Sequence, residues 1–107
     1  MDSALIMQQY DKALELTRAM LDAAHKSDWD GLVALEKERT AIVDHLRGVD
    51  TQPAREPTVR ERKRELIREI MRHDEQVQML AQDWMRELRE VLGSISAEHK
   101  LSRTYGA

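Results

Sequence analysis

From Thr58 to Leu92 the chain contains neither glycine nor proline, and apolar residues return at three- and four-residue steps. Leu66, Ile67, Ile70, Met71, Val77, Leu80, Ala81, Trp84, Met85, Leu88, Val91 and Leu92 carry the pattern. Only an α-helix brings residues so spaced onto one face. Thr58-Val59-Arg60-Glu61 reads as a capping box, with Thr58 bonding forward and Glu61 reaching back. Pro57 discourages an earlier start, and Gly93 stands where a helix would end. A helix over 58–92 is about 50 Å long.

Two shorter runs precede it. Over 3–26, Leu5, Ile6, Tyr10, Ala13, Leu14, Thr17, Met20, Leu21 and Ala24 share a helical face, with Asp2 or Ser3 as cap. Over 28–47, Leu32, Val33, Leu35, Ile42, Val43 and Leu46 do the same. Ser27 or Asp28 is the expected cap and Gly48 the expected end, while Gly31 inside the run costs up to about 1 kcal/mol against Ala. The link between these runs is so short that they form an antiparallel hairpin, and the stretch from Asp50 to Pro57 is the clearest loop. Residues 94–107, with Ile95, Ala97, Leu101 and Tyr105, make either a short helical face or a tail. The expected fold is all-α: an antiparallel helical hairpin packed on a long third helix, with a short C-terminal helical segment, in one domain over 1–107.

Composition agrees and excludes much else. Charged residues are 35% of the 107 and there is no Phe, a make-up typical of helical bundles and coiled coils. The net charge of −3 argues against general attraction to nucleic acid. Without cysteine there is no disulfide or thiolate site. No apolar run approaches the roughly 20 residues that span a bilayer, so no membrane segment is expected. Met1 to Ile6 lack the basic region and long apolar stretch of a secretory signal. Isolated glycines make no phosphate-cradling loop, and no nucleophile elbow is present. His25, His45, His73 and His99 lack metal-site spacing. Neither enzyme activity nor a cofactor is expected.

The third run also carries a basic series, Arg60, Arg62, Lys63, Arg64, Arg68 and Arg72. Glu61, Glu65 and Glu69 stand three residues before Arg64, Arg68 and Arg72, a spacing that pairs charges on an exposed helix. A solvated, salt-laced face is the simpler reading, and nucleic-acid binding through Arg60 to Arg72 is the alternative. Asp74 and Gln78 interrupt the apolar stripe and either fix register or mark where it meets a partner. Met71, Met79 and Met85 suit core packing, and equally a surface that receives a helical peptide. Trp29 and Trp84 are expected in the core.

Trp29-Asp30 opening the second run with Glu36 after it, Val91-Leu92-Gly93 closing the third, and Lys100-Leu101-Ser102-Arg103-Thr104-Tyr105-Gly106 resemble, in order and spacing, the FliT family of flagellar export chaperones. The resemblance covers nearly the whole chain. It implies a cytoplasmic chaperone of type III export whose client is the filament-cap protein, FliD, bound through its C-terminal region. It also implies contact with the flagellar export ATPase and its stalk protein and, in some bacteria, restraint of the flagellar master transcriptional regulator. By position, the family's partner-binding face falls on Ile67 and Met71 and continues along the helix, giving Leu66, Ile67, Ile70, Met71, Gln78 and Met79 as the expected partner contacts. The resemblance further implies that the C-terminal segment covers this face and inhibits binding, through Ile95, Leu101 and Tyr105. A homodimer stays open.

Overall fold

The computed structural model describes residues 2–104, with side chains through residue 94. Within them the chain is three helices and no strand: α1 (Ser3–His25), α2 (Trp29–Val49) and α3 (Pro57–Thr104). The all-α expectation holds. The chain divides into two compact units, Met1–Val77 and Gln78–Ala107.

In the first unit α1 is the central element. Ala13, Leu14, Leu16, Thr17, Met20, Ala23 and Ala24 are all buried. At 100° per residue they occupy about half the circumference, so α1 is covered on two sides. Leu46 of α2 and Leu66 and Val77 of α3 complete the core.

Ion pairs fix the directions of packing. Asp11 and Arg18 of α1 meet Arg62 and Glu69 of α3, at 3.6 and 3.2 Å, so these helices run parallel. Arg39 of α2 meets Asp74 of α3, and Asp50, the residue that caps the end of α2, meets Lys63 of α3. The same number of residues separates the partners on each helix, so α2 and α3 lie antiparallel and in register.

The α1–α2 turn is a Schellman motif. The Asp28 amide donates to the Ala23 carbonyl at 2.8 Å and the Ser27 amide to the Ala24 carbonyl at 3.1 Å. Ser27 takes the left-handed conformation such a cap requires, with φ 57°. Asp28 then caps α2 by accepting from the Gly31 amide at 3.0 Å. A Cβ on Gly31 would sit 2.7 Å from the Asp28 carboxyl carbon, so this glycine leaves room for the cap.

Three expected helix ends move. α2 runs through Gly48 to Val49, and α3 runs through Gly93 to Thr104. Neither glycine has a positive φ. One helical glycine costs only about 1 kcal/mol against Ala, which neighbouring helix formers outweigh. Residues 94–104 are therefore helical, as one reading had it, but continuous with α3. At its other end α3 begins at Pro57 rather than at a Thr58 cap. The Glu56 carbonyl accepts from the Arg60 amide at 3.1 Å. Proline suits the first helical position because its missing N–H has no partner there. The Arg60 guanidinium ties the preceding loop down through the Ala54 carbonyl at 2.8 Å and the Arg55 carbonyl at 3.2 Å.

The second unit holds the rest of α3. Met79, Trp84, Met85, Val91 and Leu92 are exposed there, and Leu80, Ala81 and Leu88 are half-buried. Trp84, expected in a core, is 37% exposed.

Candidate functional site

Antiparallel register brings two helical rows face to face. Thr40, Val43, Asp44 and Arg47 of α2 stand at i, i+3, i+4 and i+7, as do Ile67, Ile70, Met71 and Asp74 of α3. With Tyr10 and Ala13 of α1 they line a groove of about 500 Å³. Its middle is apolar, from Val43, Ile67, Ile70 and Met71. Ile67 is 37% exposed and Met71 62%. A larger hollow of about 700 Å³ lies between the start of α1 and the loop after α2. The loop supplies much of its lining, so it lacks facing helical rows.

Each end of the groove is closed by a polar cluster. At one, Arg39 Nη1 donates to Asp74 Oδ1 at 2.6 Å and to the Thr17 hydroxyl at 3.0 Å. The Thr17 hydroxyl, fully buried, in turn donates a hydrogen bond to the Ala13 carbonyl at 2.7 Å. One guanidinium thus joins α1, α2 and α3. Of the two readings of Asp74, the structure gives it the register role within the first unit. Gln78 is exposed, in the second unit.

At the other end, the Asp50 carboxylate accepts from the Tyr10 hydroxyl at 2.6 Å and pairs with the Lys63 ammonium. Lys63 Nζ also lies 5.5 Å from the Tyr10 ring centroid, within cation–π range. Burial would raise the Asp50 pKa. The hydrogen bonds from Lys63 and Tyr10, and the Lys63 charge, outweigh it and hold the carboxyl below its ordinary range. Burial first, and then Asp50, push the Tyr10 phenol well above its usual value. The ends stand about 16 Å apart at 1.5 Å per residue, the length of three helical turns.

The expected contact residues separate into three sets. Ile67, Ile70 and Met71 line the groove. Leu66 is 0% exposed and belongs to the core, which corrects its place among the partner contacts. Leu66 and Ile67 are adjacent apolar residues, but the 100° of helical turn between them leaves Leu66 in the core and Ile67 in the groove. Met79 is 64% exposed and, with Gln78, belongs to the second unit. Ile95, Leu101 and Tyr105 lie outside the residues whose side chains are described. Sequence reasoning missed the α2 row and the residues that close the groove. The spacing of Thr40, Val43, Asp44 and Arg47 was available as a signal, but the pairing of Arg39 with Asp74 was not.

Among the described residues no group of three His, Asp or Glu side chains is placed to hold a metal. No helix among them is long and apolar enough to cross a membrane. Of the basic series, Arg60 holds backbone carbonyls, Lys63 holds Asp50, and Arg64 lies 3.9 Å from Glu61.

The family described as flagellar protein FliT matches residues 7–107. The flagellar protein FliT of Yersinia pseudotuberculosis serotype O:3 (strain YPIII) is 27% identical over 101 residues, covering 94% of this chain and 84% of that protein. Flagellar protein FliT of Yersinia pestis bv. Antiqua (strain Angola) is 26% identical over the same length and coverage. No solved structure matches the chain. A match over nearly every residue, through all three helices and the groove they build, means that the chain belongs to the FliT family of flagellar proteins.

Proposed function

We propose that this FliT-family chain is a cytoplasmic flagellar export chaperone. Its α2–α3 groove receives an amphipathic helix from the C-terminal region of the filament-cap protein, FliD. The observation that carries the reading is the pair of facing i, i+3, i+4, i+7 rows with Ile67 and Met71 left exposed between closed ends. Such a groove offers a client helix apolar anchors on successive turns. Occupying it would keep an apolar client helix out of water until delivery. Delivery to the export ATPase and its stalk protein, restraint of the flagellar master regulator, and cover of the groove by Ile95, Leu101 and Tyr105 follow from the family resemblance and complete the proposal.

The test is titration calorimetry of the filament-cap protein's C-terminal region against the wild-type chain and the Ile67→Asp/Met71→Asp variant. Both side chains reach solvent, so helicity by circular dichroism should be unchanged. Binding should weaken by more than about tenfold, since two carboxylates would be forced against an apolar ligand. Unchanged affinity would overturn the assignment of the groove.

A further inference from the structure

The sequence spacing predicts that the arginines of α3 are neutralised by glutamates one turn earlier. Only the first pair forms, Glu61 with Arg64 at 3.9 Å. Glu65 instead meets Arg62 at 3.5 Å, and Glu69 is drawn across to Arg18 of α1 at 3.2 Å. Arg68 and Arg72 are both exposed. Neither has a carboxylate within 4.0 Å among the described residues: Asp74, the next one along α3, is held by Arg39, and Glu75 beyond it makes no pair with either.

These two cations follow Ile67 and Met71 by one residue each, so their row runs beside the apolar row, 100° further round the helix. Met71 joins the two features. It lines the groove, and it also lines an adjoining hollow of about 610 Å³ walled by Arg62, Arg68, Arg72, Glu65 and Glu69. The opposite rim is balanced, because Asp44 and Arg47 of α2 pair with each other at 3.6 Å. The groove is therefore apolar along its middle, neutral on the α2 side and, at Arg68 and Arg72, positive on the α3 side, where these two cations outnumber the one exposed carboxylate, Glu75, that follows them.

We infer that the occupant of this groove is an amphipathic helix with an acidic flank, its apolar side on Ile67 and Met71 and its carboxylates facing Arg68 and Arg72. The inference rests on the groove reading proposed above and adds the charge of the ligand and the rim it faces. A nucleic acid is a poorer match for the same cations. Two unpaired arginines neutralise few phosphates, no aromatic side chain in the run offers stacking, and the neighbouring apolar row gains nothing from a phosphate backbone.

The probes are three synthetic helical peptides that share one Leu stripe at i, i+3, i+4 and i+7 and carry Glu, Gln or Lys on one flank. They are titrated by calorimetry, at low and high salt, into the full chain, into Arg68→Gln/Arg72→Gln and into Ile67→Asp/Met71→Asp. The Glu peptide should bind wild type about tenfold tighter than the Lys peptide at low salt, a preference that shrinks as salt screens exposed charges. Arg68→Gln/Arg72→Gln should bind all three peptides alike, and Ile67→Asp/Met71→Asp should bind none. Equal binding of the three by wild type, with loss in Ile67→Asp/Met71→Asp, overturns the acidic flank and leaves the groove reading standing. A Glu preference that survives Ile67→Asp/Met71→Asp, or no binding by any peptide, overturns both. A single-stranded oligonucleotide that displaces the Glu peptide at equal charge concentration overturns the choice of a peptide ligand.

Discussion

Arg39 of α2 and Asp74 of α3 meet at 2.6 Å with most of both side chains out of solvent, and the same guanidinium nitrogen holds the buried Thr17 hydroxyl of α1. A charge pair so shielded is costly to break from one side, because the partner left behind loses both its counter-charge and its water. Asp74→Ala should destabilise the fold by about 2 kcal/mol, and Arg39→Ala by a similar amount. The Arg39→Ala/Asp74→Ala double variant should be less damaged than the sum, with a coupling of about 1–2 kcal/mol. Urea unfolding of the four proteins gives that coupling, and additive losses would show that the contact contributes nothing.

The Asp50 cluster makes stability depend on pH with a definite sign. The Asp50 carboxyl titrates lower in the folded chain than in the unfolded one. Its contribution is therefore fully present above the unfolded value of about 3.9 and is lost as pH falls through the folded value. The stability difference between wild type and Asp50→Asn should be flat above about pH 5 and narrow steadily in more acid solution. Tyr10 has the opposite sense, because its raised pKa gives a contribution that disappears only in strongly alkaline solution. Denaturant midpoints across the acid range check the first statement. A difference independent of pH would mean that Lys63 and Tyr10 do not hold the ionised form.

Much of the fold was legible because the apolar period states which residues share a face. Leu14, Leu46, Leu66 and Val77 all fall on stripes seen in the sequence, and all are buried. Two kinds of information were not local enough to read. A glycine signals a helix end only if the chain after it turns away; α2 stops at Val49, one residue past Gly48, but α3 continues eleven residues past Gly93. Charge pairing within one helix can be guessed from spacing, yet Glu69 prefers Arg18, far away in sequence, once α1 and α3 lie parallel. The groove shares this property. Ile67 and Met71 were visible in one helix, but the opposing row on α2 acquires meaning only when the antiparallel register is known.

Ser27 offers a stabilising change. It occupies the left-handed position of the Schellman turn, where an L side chain is disfavoured by roughly 1–2 kcal/mol and glycine is not. Part of the relief is returned as greater freedom of the unfolded chain. Ser27→Gly should therefore stabilise by about 0.5–1 kcal/mol, seen as a raised midpoint in thermal or urea unfolding. A lower midpoint would mean that the Ser27 side chain contributes more than its backbone conformation costs.

Alanine should stabilise at one of the two glycines of α2 and not at the other. At Gly48 a Cβ meets nothing within 4 Å, and the backbone there is helical. Gly48→Ala should stabilise by up to about 1 kcal/mol, the difference in helix propensity. At Gly31 the same methyl runs into the Asp28 carboxylate that caps the helix. The carboxylate can swing aside, but only by giving up its bond from the Gly31 amide. Losing a cap costs about 1 kcal/mol, which cancels or exceeds the propensity gain. Asp28→Ala separates the two terms. In that background the obstruction is gone, and Gly31→Ala should become stabilising, as at Gly48. If Gly31→Ala has the same effect with and without Asp28, the glycine is not there to make room for the cap.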